Sequence, residues 1–190
     1  MTGTSSSPPD GLDLVIDFVN TFDVEEGVEQ LGSGGELAGW LRARGLLDGR
    51  PRLDQRDLGR ALELREALRA IMLANNGGAD DPGAVEVLER TARAGALRVR
   101  FGGVGAELAP DAAGLDGALA KLLVPVARAM EAGTWQRAKA CRADDCRWAF
   151  YDRSRNRSGV WCDMAVCGNR TKVRAYRRRG PAGGGRGNGS

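Results

Sequence analysis

The four cysteines are the residues of this chain best placed to do chemistry, and all of them fall between positions 141 and 167. They form two matched pairs, Cys141-x4-Cys146 and Cys162-x4-Cys167, separated by 15 residues. Two short pairs joined by a loop of that length can bring four thiolates to the corners of a tetrahedron around one ion. Soft sulfur ligands in that geometry suit zinc or iron, and zinc is the ion we favour. Four protein ligands leave no open coordination position, so the expected role is structural. The same residues could instead form disulfides in any of three pairings, or be unrelated buried thiols. Disulfides are rare in the reducing cytosol, and two matched pairs argue against coincidence.

Histidine is absent from the chain. That removes Ser-His and Cys-His nucleophiles, imidazole bases and every His-ligated metal site. Nucleotide motifs fail as well. Gly103-Val104-Gly105 and Gly32-Ser33-Gly34 lack the third glycine of a dinucleotide fingerprint, with Leu108 and Leu37 in its place, and no Gly-Lys pair exists for a phosphate loop. The acid pairs Glu25-Glu26, Asp80-Asp81 and Asp144-Asp145 read as turn residues serving the backbone. The expectation is a protein that is not an enzyme.

Charge separates along the chain. The net charge is +3, yet residues 137–179 carry +9 and residues 1–136 carry −7. An acidic body joined to a basic end is expected when only one part faces a polyanion.

The elements that must position the cysteines begin upstream. MTGTSSSPPD, residues 1–10, is too poor in apolar groups to pack, so disorder is expected; with no basic region or apolar stretch it does not read as a secretory signal. In LDLVIDFVNTF, Leu12, Val15, Ile16, Val19 and Phe22 fit a helical stripe, while Leu12, Leu14, Ile16 and Phe18 fit a strand; we lean to helix. Further helices are predicted over 36–44, over 54–74 with Asp54 as cap, from Pro82, and from about Asp111 to Glu131 with a kink at Pro125. Leu97 to about Leu108 reads as a β-hairpin. No apolar run reaches the roughly 18 residues of a membrane helix; a cytoplasmic protein without membrane contact is expected.

In the helical reading of the first segment, Asp17, Asn20 and Thr21 share one side among apolar neighbours. They could line a pocket sensing a small-molecule effector, or form a buried hydrogen-bond network; we favour the network.

Residues 134–179 contain few large apolar groups, Trp135, Trp148, Phe150, Tyr151 and Trp161 chief among them. So small a core rarely folds unaided, whereas structural zinc contributes about 10–16 kcal/mol in small fingers. Strands flanking a cysteine turn through Ala143-Asp144-Asp145, followed by Cys162, Cys167 and a helix from Asn169 to about Arg179, would make a treble-clef-like arrangement.

Cys141 to Arg179, with FYDRSRNR at 150–157, WCDMAVCGNR at 161–170 and KVRAYRRR after it, resembles the CGNR zinc-finger family. Upstream, LVIDFVNT at 14–21 and the helix around Trp40 resemble the ABATE domain that precedes this finger in bacterial proteins. The resemblance implies a four-cysteine zinc site and a stress-induced, DNA-binding transcription regulator. In one departure, Gly159-Val160 stands where the family is expected to place basic residues, which bears on phosphate contact at that turn.

On the predicted last helix Arg170, Arg174, Arg177 and Arg178 fall at i, i+4, i+7 and i+8, a basic stripe suited to a phosphate backbone or major groove, with Val173 and Tyr176 on an adjacent face. Lys172 adds to it, and Arg153, Arg155 and Arg157 alternate with Ser154, Asn156 and Ser158 in the loop before the third cysteine. The alternative for these cations is a merely solvated face. The aromatics Trp148, Phe150, Tyr151 and Trp161 could stack on unpaired RNA bases or form a small core around the metal.

These residues predict an α+β protein. A disordered start at 1–10 is followed by a mainly helical domain with a short β-hairpin at 11–133, a treble-clef-like four-cysteine zinc finger at 134–179 and a disordered Gly-rich tail at 180–190. DNA is the expected partner and RNA the alternative within that class, while half-site logic in DNA readers suggests, without requiring, a homodimer. The rival from another class is a protein–protein adaptor whose basic finger docks an acidic partner.

Overall fold

The computed structural model describes residues 11–103 and 105–179. The expectations of disorder for 1–10 and 180–190 lie outside the described residues, as do the side chains of Tyr176, Arg178 and Arg179. Among the described residues the protein is about half helical, with three small antiparallel ribbons.

Helix α1 spans Leu12–Val19 and buries Leu12, Val15, Phe18 and Val19, the spacing of one helical face. The helix reading of this segment therefore holds, but only to Val19. Thr21 donates its hydroxyl to the Phe18 carbonyl at 2.8 Å. Phe22, expected on the helical stripe, instead enters strand β1 (Phe22–Asp23), paired with β2 (Val28–Glu29). Helix α2, Gly34–Ala43, is capped by Ser33, whose hydroxyl accepts from the Glu36 amide. It seats Trp40 against Phe18 with ring centroids 5.4 Å apart.

Helix α3, Gln55–Ala74, starts in a reciprocal cap in which Asp54 and Asp57 accept each other's amides. It buries Leu58, Ala61, Leu64, Leu68 and Met72, and also two arginines, Arg65 and Arg69. Helix α4, Pro82–Ala94, buries Ala84 and Thr91. Strands β3 (Leu97–Gly102) and β4 (Gly105–Pro110) pair from Leu97↔Pro110 to Gly102↔Gly105. Helix α5, Gly114–Glu131, carries Pro125 inside it and buries Leu115, Leu119, Leu122, Leu123 and Val126. Met130, four residues on from Val126 in helical spacing, is exposed.

A tight turn at Trp135–Arg137 leads into β5 (Ala138–Ala140), which pairs with β6 (Ala149–Tyr151). A wide turn at Met164–Gly168 then feeds helix α6, Asn169–Arg179. The core built by α1, α2, α3 and α5 does not stop at residue 133. It continues through buried Trp135, Ala138, Ala140 and Ala149, so the last ribbon shares the helical body's interior. Among the described residues no helix is long and apolar enough to cross a membrane.

Candidate metal centre and basic surface

The β5–β6 ribbon is too short to hold itself, since an isolated two-stranded ribbon is marginal in water. Its register explains what holds it. The Cys141 amide donates to the Trp148 carbonyl and the Asp152 amide to the Arg137 carbonyl, so Ala149 turns its N–H and C=O outward. The Asn20 side chain meets both, donating to the Ala149 carbonyl at 2.9 Å and accepting its amide at 2.8 Å. On the other edge Asn75 donates to the carbonyls of Trp135 and Ala138, and Asn76 to those of Ala140 and Val160. Three asparagine amides thus close both edges in place of further strands. Arg69 adds a fourth grip, from α3 to the Arg147 carbonyl at 3.0 Å and to the carbonyls of Val19 and Phe22.

The knuckle between the strands carries Cys141 and Cys146, and the wide turn carries Cys162 and Cys167. Asp163 caps that turn, its carboxylate accepting the Val166 amide at 3.0 Å. At Gly168 a Cβ would sit 2.5 Å from the Met164 sulfur and 3.0 Å from the Trp161 ring, so a larger residue would have to push the exposed Met164 side chain aside and crowd Trp161. All four sulfurs lie within 4.8 Å of one another, and the cysteines are free. Cys146 and Cys162 are 3.6 Å apart at sulfur, as are Cys162 and Cys167. Zinc–sulfur bonds of about 2.3 Å in a tetrahedron require sulfurs about 3.8 Å apart. The separations fit that ion and are far too long for disulfides. Cys141, Cys146 and Cys167 are buried and Cys162 is half-buried.

Such crowding splits the thiols. A hydrogen bond from Cys146 pulls Cys141 down to about 5. Cys146 is raised by that same bond and by burial, and burial pushes Cys162 up to about 12. A thiolate is favoured at Cys141 while Cys146 and Cys162 keep their protons, which a bound dication would displace.

The basic loop is built around a buried ion pair. Lys139 Nζ donates to Asp152 Oδ2 at 2.7 Å and to the carbonyls of Arg157 and Gly159. Asp152 also accepts the amides of Ser154 and Gly159, and Arg137 donates to the carbonyls of Asp152 and Ser154. Burial works against the Asp152 charge, but Lys139 and the amides outweigh it and hold its pKa down to about 2. Around this centre Arg153, Arg155 and Arg157 are all exposed, with no carboxylate partner among the described residues. The departure at Gly159 has a steric reason: a Cβ there would lie 2.8 Å from Asp152 Oδ1.

The stripe on α6 is not uniform. Lys172, Arg174 and Arg177 are exposed, and Arg174 pairs with Asp145 at 2.8 Å. Arg170 is folded back: it grips Glu25 in a two-point ion pair and donates to Cys167 sulfur at 3.5 Å. Val173, on the face adjacent to the basic stripe, is exposed. Arg178 lies outside the described side chains.

Asp17, Asn20 and Thr21 do not converge on a pocket. Asn20 and Thr21 are buried and bonded internally, Thr21 also accepting from Arg65 at 3.2 Å, whereas Asp17 is exposed. The last turn of α1 sends Asn20 inward towards β6 and leaves Asp17 on the outer face, beside Asp13, Tyr151 and Arg153 in a groove of about 280 Å³. Reading the sequence missed the edge-closing role of Asn75 and Asn76, which look like a helix stop, the buried cation Arg69, and the partners of Arg65. Arg65 is held by Glu29 in two bonds of 2.7 Å.

A ribbon, a cysteine knuckle and a turn-to-helix supplying the last ligand define a treble-clef-like zinc-finger protein with one structural zinc, here mounted on a helical body. The chain belongs to the ABATE family: residues 12–132 match that family, described as "Putative stress-induced transcription regulator". Residues 137–180 match the CGNR zinc finger. Comparison with curated proteins gave no match.

Proposed function

We propose that this zinc-finger protein is a DNA-binding transcription regulator, with the finger as its contact and the ABATE body as its support. The observation that carries the reading is the loop of residues 152–159. Its backbone is wrapped around Lys139 and Asp152, while Arg153, Arg155 and Arg157 face solvent without a carboxylate partner among the described residues. A solvated face made only for solubility needs no buried ion pair beneath it. Guanidinium groups on a fixed backbone lose less entropy on meeting phosphates than the same groups on a free tail. Exposed Lys172 and Arg177, and Arg174 once released from Asp145, extend the cationic surface along α6. Residues 1–136 carry net negative charge, which keeps the body off the polyanion and leaves it to receive a signal or a second copy.

With all four sulfurs spent on zinc, the ion's chemistry here is structural, and we assign the protein no catalytic role. The test is a titration of duplex DNA against a salt series. Binding through four to six phosphates lowers log affinity with a slope of roughly −4 to −5 against log salt. Preference for single-stranded RNA at matched salt would shift the assignment to RNA. An absence of affinity for either at low salt would leave an acidic protein partner as the ligand of the finger.

A further inference from the structure

A zinc ion held by four thiolates carries a formal net charge of −2, and three of these sulfurs are buried. Such a centre is stable only where donors or cations face the sulfurs. For Cys167 the donor is a side chain, the guanidinium of Arg170, with Nη2 3.5 Å from the sulfur. Among the described residues no other arginine or lysine bonds to a sulfur. Arg170 is itself fixed from the body. Glu25 takes its Nη1 and Nη2, and Asp145 lies 3.6 Å from its Nε. Glu25 is in turn held by the β1–β2 turn, where Asp23 accepts the amides of Glu25 and Glu26 at 2.9 and 3.1 Å.

We infer that Arg170 is a positioning residue of the zinc centre, offsetting the charge on Cys167 and, through Glu25, tying the metal to the N-terminal body. The arrangement takes Arg170 out of the phosphate-facing stripe to which its helical spacing assigns it. It also makes zinc occupancy something the body feels, since the fork can hold Glu25 and Cys167 together only while the wide turn and α6 keep their places. The inference rests on the metal site and stands or falls apart from DNA binding.

The test measures zinc affinity of the full chain by competition with a chromophoric chelator, with the thiolate-to-cobalt absorption of the cobalt form as a second reading. Removing an outer partner of a metal ligand lowers affinity by about 10–100-fold. Arg170→Gln is expected to fall in that range while still binding one zinc at saturation, and to shift the cobalt band. Glu25→Gln leaves the charge but frees the fork, and is expected to weaken zinc by a smaller factor. Arg142→Gln removes equal charge next to Cys141 from a side chain bonded to no sulfur, and is expected to change affinity less than twofold. Should Arg170→Gln not fold, Arg170→Lys and Glu25→Gln carry the same comparison. The inference is overturned if these variants bind zinc as the parent does, or if Arg142→Gln weakens zinc equally. It is also overturned if zinc-saturated Arg170→Gln loses about one unit of the DNA salt slope with its zinc affinity intact.

Discussion

Replacing Asn20 by Leu tests the claim that asparagine side chains stand in for missing strands. The side chain is buried, and its two bonds reach both backbone groups of Ala149, 129 residues away. Leucine branches at the same carbon, though it is bulkier, and leaves the Ala149 N–H and C=O buried without partners. An unmet buried backbone group costs about 1–3 kcal/mol, so the variant, leaving two of them, should lose about 2–6 kcal/mol. Against a typical domain stability of about 5–15 kcal/mol this is a large fraction. Urea unfolding of the zinc-loaded protein at neutral pH measures the loss, and amide exchange at Ala149 should accelerate in parallel. Asn20→Asp should fare as badly, because it keeps the acceptor but sets a charge against the Ala149 carbonyl. Asp17→Ala, on the exposed side of the same helix, should stay within about 0.5 kcal/mol. A loss below about 0.5 kcal/mol in Asn20→Leu, with Ala149 exchange unchanged, would refute the idea that the ribbon edge needs this amide.

Other outcomes follow from the same geometry. Asp152 titrates near 2 in the fold against an ordinary 3.8, so its stabilising effect is present above about pH 4 and is lost as pH falls from about 4 towards 2. That difference is worth about 2 kcal/mol, and carboxyl carbon shifts should place the midpoint well below 3; a midpoint at or above 4 would mean that Lys139 does not hold it. Zinc binding at pH 7 should release at least two protons, because Cys146 and Cys162 are held protonated in the free site; calorimetry in buffers of different ionisation enthalpy counts them. Release of fewer than one would contradict the crowded-thiol picture. Gly159→Ala should loosen the basic loop through its clash with Asp152, reducing the DNA salt slope or affinity while zinc content stays at one per chain. Glu29→Gln should destabilise the protein by about 1–2 kcal/mol in thermal unfolding, since buried Arg65 loses one charged partner and keeps Glu66 at 2.8 Å.

Much of the architecture is legible in the chain because it depends on neighbours in sequence. Helical spacing places Leu12, Val15 and Val19 together, Asp54 and Asp57 announce the start of α3, and Pro82 opens α4. What periodicity misjudges are positions where an unlike element covers or uncovers a face. Met130 and Val173 sit at apolar spacing yet remain exposed, and Phe22 leaves its helix for a ribbon. Polar residues mislead more often. Asn75-Asn76 followed by two glycines is a sound helix stop, and it is one, but the same amides also close the β5 edge.

The metal centre was determined by sequence alone: two cysteine pairs at matched spacing can satisfy one tetrahedral ion, and ligand identity and loop length are local properties. The excess of cations after residue 136 was equally plain from composition. Only tertiary structure decided which cations remain outside. Arg155 and Arg170 are chemically identical, but one meets water while the other meets Glu25, 145 residues away, and a cysteine sulfur. A charge finds its partner through space, at distances that no spacing along the chain encodes.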